Sequence, residues 1–191
     1  MRQTLVDSIA HPPPNTTLLS RQTPGPAGCK LYGGKDSWDF EETESAPLYS
    51  QSFNIKFSMT GQCAEDDCLE QADYFGLADP DAQSEAWKYR YLLDMDGNAY
   101  SGRFYAFLQS QSVPMKLSFF SEWHANTLFP WVHYVPLGLN TTGYAEALRY
   151  FEEEPEGRKI ARYIDLSGRK WKQTALRNAD MEVYMFRLLL E

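Results

Sequence analysis

Strand-like and helix-like segments alternate from Lys88 onwards, and this alternation limits the possible folds more than any other feature of the sequence. KYRYLLDM and SVPMKLSFF are rich in aromatic and aliphatic residues, as strands are. Between them, RFYAFLQ places Phe104, Phe107 and Leu108 at i, i+3 and i+4, which predicts a short helix. A strand–helix–strand crossover joins parallel strands, so the pattern predicts an α/β layer with a parallel sheet.

Further segments extend this pattern on both sides. WVHYVPL predicts another strand, and FNIKFSM over residues 53–59 predicts one more. Pro114 is expected to weaken the strand SVPMKLSFF at one end. Three helices are predicted in the last third, and Gly168 could break the second. The first is GYAEALRYF, with Thr141 or Thr142 as cap, and the second is a segment from Ile160 to Trp171. The third is DMEVYMFRLLLE, with Asn178 or Asp180 as cap. Its predicted apolar face consists of Met181, Tyr184, Met185 and Leu188.

Residues 1–50 show no helical or strand period. They contain HPPPNTT, TPGPAG and the acidic DFEETES, in which Pro and Gly interrupt any apolar face. We therefore predict an irregular Pro/Gly-rich tail over residues 1–50, followed by one domain over residues 51–191. The 191 residues are enough for one domain with a substantial core.

Charge and hydropathy exclude several classes of protein. The net charge of −8 argues against a general nucleic-acid binder, which needs basic surface to release counterions, but leaves room for a local basic pocket. No apolar run approaches the roughly 20 residues of a membrane-spanning helix. The opening MRQTLVDSIAHPPPNTT lacks the basic-then-apolar pattern of a signal peptide.

Two features depend on the compartment in which the chain folds. CAEDDC, with Cys63 and Cys68, has the wrong spacing for a zinc knuckle, so its cysteines are either free thiols or a small-loop disulfide. Asn15 and Asn140 each begin an NTT sequon, which matters only in the secretory pathway.

The turn DMDGNAYSGRF is the main candidate site. Gly97 and Gly102 permit a close backbone approach or a positive φ, and Ser101 can cap the helix that follows. Arg103 in the first turn would oppose the helix dipole, and an anion bound between its guanidinium and the free amide groups would remove that conflict. The alternative is that Arg103 points into solvent or pairs with Asp94 or Asp96. The string DMD also looks like a metal-binding DxD motif, although turns recruit aspartate anyway, and the turn role is the favoured interpretation.

Three longer blocks carry a specific resemblance. YRYLLDMDGNAYSGRFYAFLQSQSVPMK, FSEWHANTLFPWVHYVPL and DMEVYMFRLLLE resemble the carboxyl-terminal part of glycosyltransferase family 90, the fungal capsule-associated glycosyltransferases, which are similar to animal protein O-glucosyltransferases. The resemblance covers roughly residues 53–191. It implies the Rossmann-like second half of a GT-B fold, which binds a UDP-sugar (xylose or glucose) for transfer to a glycan or protein hydroxyl.

The resemblance also implies site residues. The family motif falls on Gly97, Ser101, Arg103 and Phe104, with Arg103 on the diphosphate and an acidic-Trp pair at Glu122 and Trp123. The implied donor-binding set is Asp96, Gly97, Asn98, Ala99, Tyr100, Ser101, Arg103, Glu122 and Trp123. GT-B enzymes generally need no metal, so neither a metal nor a cofactor is expected beyond the UDP-sugar itself.

The chain also departs from the family pattern. The acceptor half and its catalytic base should precede Phe53, where only about fifty residues stand, so we expect a truncated form with no assigned catalytic residue. The alternative is a non-catalytic nucleotide-binding or interaction domain of a decayed paralogue. The family implies the Golgi or ER lumen, or a membrane-associated form, and lumenal folding would pair Cys63 with Cys68; a truly truncated chain without a targeting signal would be cytoplasmic.

Two histidines have structural explanations. His133, in WVHYVPL, is expected to be satisfied by backbone groups rather than to act in catalysis. His124 follows Glu122-Trp123 in a loop, where it is a weaker candidate for contact with substrate.

Overall fold

The computed structural model describes residues 10–12, 14–22, 37–97, 99–139 and 142–190. It divides into two compact units, which are described separately. Unit one comprises Met1–Pro80 with Asn140–Arg149, and unit two comprises Asp81–Leu139 with Tyr150–Glu191.

Unit one contains an antiparallel strand pair, β1 (Asn15–Gln22) and β2 (Ser37–Glu44), followed by helices α1 (Ser45–Ser52) and α2 (Glu65–Phe75). The prediction of an irregular segment over residues 1–50 is therefore wrong for residues 15–22 and 37–50. Thr16 and Leu18 are buried while Asn15 and Thr17 are exposed, so β1 does have the period of a strand. That period is short and largely polar, which is why it does not stand out in the sequence.

The predicted strand over residues 53–59 is also wrong, although its alternation is real as far as Phe57; Met59, predicted on the same face, is 77% exposed. Phe53, Ile55 and Phe57 are half-buried and the residues between them are exposed, as expected of an extended chain. In the described part of the chain this segment has no ladder partner; the Phe57 carbonyl accepts one hydrogen bond, from the Ala78 N–H at 2.8 Å. Alternation fixes which side chains are buried, and a strand needs a neighbouring strand as well.

Cys63 and Cys68 form a disulfide, with Cα atoms 5.6 Å apart. Of the two alternatives that the sequence left open, the structure therefore has the small-loop disulfide. Cys68 lies in the first turns of α2, and the Thr60 hydroxyl donates to its carbonyl at 3.2 Å. The disulfide thus fixes the residues that lead into this helix.

Unit two contains the predicted parallel sheet. Its strands are β3 (Tyr91–Met95), β4 (Val113–Leu117) and β5 (Val135–Pro136), in the order β3-β4-β5, with helix α3 (Phe104–Gln109) between the first two. The α/β prediction is confirmed, and Phe104, Phe107 and Leu108 are buried as expected. The predicted strand WVHYVPL shrinks to two residues, because residues 131–133 form a turn in which Trp131 has a φ of +62°.

Pro114 does not weaken β4 as expected. It lies inside the strand opposite Leu92, and β4 is the middle strand of the three. The Val113 N–H donates towards β3, so the proline nitrogen faces the β5 side, where β5 begins only opposite Met115. The missing N–H therefore costs no ladder hydrogen bond.

Three helices complete the chain: α4 (Thr142–Glu153), α5 (Pro155–Ala175) and α6 (Asn178–Leu190). Gly168 does not break α5. It is buried, and a Cβ there would lie 2.5 Å from the His133 carbonyl oxygen, so glycine allows the helix to pass close to the segment before β5. Thr142 is inside α4 rather than before it, and Thr141 lies outside the described residues.

Helix α6 begins at Asn178, so both predicted caps, Asn178 and Asp180, lie inside its first turn. The Asp180 carboxylate accepts the Arg177 N–H at 2.9 Å, which is half of a capping box. The predicted face of Met181, Tyr184, Met185 and Leu188 is not buried, since no residue of α6 is buried. None of the described helices is long and apolar enough to cross a membrane.

Candidate functional site

The candidate site lies at the carboxyl ends of β3 and β4, the edge at which open parallel sheets bind ligands. Residues 94–103 run from the end of β3 through the turn into α3. Residues 116–124 run from the end of β4 into the following loop. The Asp96 N–H donates to the Leu117 carbonyl at 3.3 Å, which places the two strand ends side by side.

A network of buried polar side chains, here called the Lys116 network, joins these two strand ends. Asp94 is completely buried; its Oδ1 accepts the Ser101 hydroxyl at 2.5 Å and its Oδ2 lies 3.1 Å from Lys116 Nζ. Lys116 Nζ also lies 3.3 Å from Glu122 Oε1, whose Oε2 accepts the Tyr105 hydroxyl at 2.8 Å. Five residues from β3, the turn, α3, β4 and the next loop are thus connected.

The charged groups of this network are shielded from water and stabilised by one another. The Lys116 side chain is 6% exposed and the Glu122 side chain 7% exposed, so both ions depend on each other and on nearby donors rather than on water. Lys116 Nζ also lies 4.3 Å from the centroid of the Phe104 ring, a cation–π contact. Burial, together with the hydrogen bond and negative charge of Glu122, raises the pKa of Tyr105, so its phenol stays protonated as a donor.

Asp96 holds the loop after β4. Its Oδ2 accepts hydrogen bonds from the Ser118 hydroxyl at 2.8 Å, the Phe119 N–H at 2.7 Å and the Phe120 N–H at 3.1 Å. Burial acts to raise the pKa of Asp96, but these hydrogen bonds outweigh it and the pKa lies below its ordinary value. Both aspartates of DMD are therefore used by the protein, and the described residues contain no cluster of three or more potential metal ligands.

The turn between these groups is open to solvent. Gly97, Ala99, Tyr100 and Arg103 are exposed, while Asn98 lies outside the described residues. Among the described residues, the Arg103 guanidinium makes no hydrogen bond or ion pair, so the expected alternative of pairing with Asp94 or Asp96 is not observed. The site therefore offers an exposed arginine beside the buried Lys116 network.

Two details of the turn differ from the predictions. Ser101 does not cap α3, because that helix begins at Phe104 with no side-chain cap and the Ser101 hydroxyl donates to Asp94. Gly102 does not have a positive φ, and a Cβ there would meet nothing within 4 Å. The backbone at Gly102 therefore does not require glycine.

Trp123 and His124 belong to an aromatic cluster. The His124 ring is 2% exposed, and its centroid lies 5.5 Å from those of Tyr105, Trp123 and Trp171. Burial lowers the pKa of His124; Glu122 opposes and Lys116 reinforces this effect. Trp123 is half-buried, and the centroid of its ring also lies 5.5 Å from that of Tyr184. His124 is therefore part of the packing of this cluster.

His133 is satisfied by backbone, as predicted. Its Nδ1 accepts the Phe129 N–H at 3.0 Å, and burial lowers its pKa. It does so in the turn before β5 rather than within a strand, and its ring stacks on Trp171 at 5.4 Å. The histidine therefore stabilises this turn against α5.

The family model of glycosyltransferase family 90 matches residues 67–191, which include β3, the turn, the Lys116 network and all of α5. The chain belongs to this family. Protein O-glucosyltransferase 2 of Danio rerio is 30% identical over 104 residues, which are 53% of this chain and 20% of that relative. The chain thus spans about a fifth of the length of this curated relative.

The structure brings Ser101 and Glu122 into one network, and places Arg103 and Trp123 outside it. Asp94, Tyr105 and Lys116 complete the network. In the sequence, Asp94 stands out only as part of a DxD motif or as a partner of Arg103, and Tyr105 and Lys116 are not singled out as site residues. A signal for Lys116 was present: it is a cation inside the otherwise apolar run VPMKL, all five residues of which are buried. A lysine buried in a strand requires carboxylates nearby, and Asp94 stands on the neighbouring strand directly opposite it.

Proposed function

We propose that unit two is the nucleotide-binding half of a glycosyltransferase with a GT-B fold, and that it binds the UDP of a UDP-sugar. The observation that carries this proposal is the exposed, unpaired Arg103 on a turn at the carboxyl edge of the parallel sheet, in a chain of this family. The sugar would be xylose or glucose, and the acceptor a glycan or protein hydroxyl. Membership of the fungal capsule-associated branch is part of the same proposal.

The residues of the site would then share the work as follows. The Arg103 guanidinium forms a two-pronged, charge-assisted contact with the diphosphate. The exposed residues Gly97, Ala99 and Tyr100 approach the nucleotide, and Trp123 lines the other side. Glu122 holds the loop that carries Trp123 through its contacts with Lys116 and Tyr105. Asp96 and Ser101 shape the site from beneath, as their hydrogen bonds to the protein indicate.

The chemistry required of this half is the stabilisation of a leaving group. When the bond between the sugar and the diphosphate breaks, negative charge develops on the UDP, and a fixed guanidinium lowers the energy of that state. Deprotonation of the acceptor hydroxyl needs a base on the acceptor side. We assign no residue of this chain to that step.

Replacement of Arg103 by alanine is expected to weaken UDP binding by about 1.5–3 kcal/mol, the range for a hydrogen bond to a charged group. Titration calorimetry of the purified chain against UDP, UDP-glucose and UDP-xylose measures this, with circular dichroism as a check on folding. Arg187→Ala, which removes an exposed arginine on α6, is the matched control and should bind like the parent. Equal affinity of Arg103→Ala and the parent would refute the assignment.

Nucleotide binding is expected to persist after treatment with EDTA. Asp94 and Asp96 accept hydrogen bonds from protein groups, and a divalent cation would have to displace those donors before it could bind both carboxylates. The measurement is the UDP dissociation constant with EDTA, with Mg²⁺ and with Mn²⁺. Loss of binding in EDTA and its recovery with Mn²⁺ would make the aspartates metal ligands.

We further propose that the chain folds in the lumen of the secretory pathway, because a disulfide persists in an oxidising compartment. Reduction of Cys63–Cys68 is expected to cost about 2 kcal/mol of unfolding free energy, since the closed loop is short. Mass spectrometry of secreted, unreduced protein tests the pairing. Alkylation of both thiols without prior reduction would contradict it.

A further inference from the structure

Lys116 contacts charged groups at both strand ends. Its ammonium lies 3.1 Å from Asp94 on β3, 3.3 Å from Glu122 in the loop after β4, and 4.3 Å from the Phe104 ring at the start of α3. We infer that Lys116 is a positioning residue that fixes the turn bearing Arg103 relative to the loop bearing Glu122 and Trp123. This inference rests on the proposed function.

Each contact of Lys116 leads to one side of the site. Asp94 accepts the Ser101 hydroxyl, and Ser101 stands two residues before Arg103, so this branch anchors the exposed turn. Glu122 accepts the Tyr105 hydroxyl, so the second branch ties the loop with Trp123 to α3. A shift of the ammonium would therefore move both walls of the site.

Stability alone does not explain why a lysine occupies this position. Taking an ammonium and two carboxylates out of water is costly, and apolar residues of the same size often give equal or greater stability. β4 is otherwise apolar, and its five residues are all buried, so a hydrophobic side chain would suit the strand. An ionic network does, however, fix relative orientation, which an apolar contact leaves less well defined.

The test compares Lys116→Met with Met115→Ala in the full-length chain. Met115 is the buried neighbour on β4 whose side chain points to the opposite face of the sheet, so its truncation lowers stability without touching the network. Two properties are measured: the UDP dissociation constant, and, without ligand, the rate of trypsin cleavage after the exposed Arg103, followed by mass spectrometry. The second property does not depend on UDP binding.

We expect Lys116→Met to bind UDP about tenfold more weakly, a typical coupling between residues of one network. Cleavage after Arg103 should accelerate several-fold because the turn opens locally. Met115→Ala should change neither property beyond what its lower melting temperature explains. Lys116→Arg, which keeps the cation, should restore part of the UDP affinity and part of the protection from cleavage.

Ser101→Ala is the second variant, in case Lys116→Met does not fold. It cuts the branch to the turn and should accelerate the same cleavage, with no added effect in the double variant if both act through Asp94. A parent chain that does not bind UDP would overturn the proposed function, while the cleavage rates would still decide the role of Lys116. Cleavage after Arg103 that is unchanged, or no faster than in Met115→Ala, would overturn the inference.

Discussion

Asp94→Ala is expected to lower the unfolding free energy of unit two by about 3 kcal/mol or more, the range for breaking a buried ion pair. The Asp94 carboxylate is completely buried and accepts both the Ser101 hydroxyl and the Lys116 ammonium. Its removal leaves a buried hydroxyl without its acceptor and a buried cation with one carboxylate instead of two. Urea unfolding followed by the fluorescence of Trp123 and Trp171 provides the measurement.

Two further variants separate charge from shape in this experiment. Asp94→Asn keeps the volume and an acceptor for Ser101, so it should cost less than Asp94→Ala. Glu156→Ala removes an exposed ion pair with Lys159, whose side chains are 68% and 75% exposed, and should cost at most about 1 kcal/mol. If Asp94→Ala were no more harmful than Glu156→Ala, the Lys116 network would contribute nothing to stability.

Gly157→Ala is expected to destabilise the chain by about 3 kcal/mol, the upper part of the usual range for overpacking. A Cβ at this position in the first turn of α5 would lie 2.0 Å from the Tyr150 carbonyl oxygen and 3.1 Å from the Phe151 Cα. These are backbone atoms at the end of α4, so no side chain can rotate away. The two helices would have to separate.

Gly143→Ala is the matched control, because Gly143 is also helical but a Cβ there meets nothing within 4 Å. It should be neutral or stabilise the chain by up to about 1 kcal/mol, since alanine favours a helix over glycine. The difference between the two melting temperatures is the decisive quantity. Similar values for both variants would show that α5 can move away from α4 at little cost.

Local patterns in the sequence predict β3, α3 and β4 well, because each element has its own period and its burial follows that period. Phe104, Phe107 and Leu108 are an example: their spacing alone places them on the buried face. The segment over residues 53–59 shows the limit of this approach. Its alternation is correct from Phe53 to Phe57, but whether it forms a strand depends on a neighbouring strand, which no local pattern reveals.

The candidate site is predictable to a similar degree. The turn from Asp96 to Arg103 follows from its residues and from the family resemblance, and the structure places it at the carboxyl edge of the sheet. The network beneath it is not predictable, because Lys116 is 22 residues from Asp94 in sequence. These two side chains meet only because the parallel register sets Asp94 opposite Lys116.

The position of Pro114 has a consequence for where the third strand can begin. In the register that sets Met115 opposite Val135, a ladder extended further back along β5 would need a backbone donor from residue 114. The proline nitrogen faces that side and carries no hydrogen, so the ladder cannot continue past Val135 towards His133. The residue that costs the existing ladder no hydrogen bond thus also sets the point at which pairing between β4 and β5 starts.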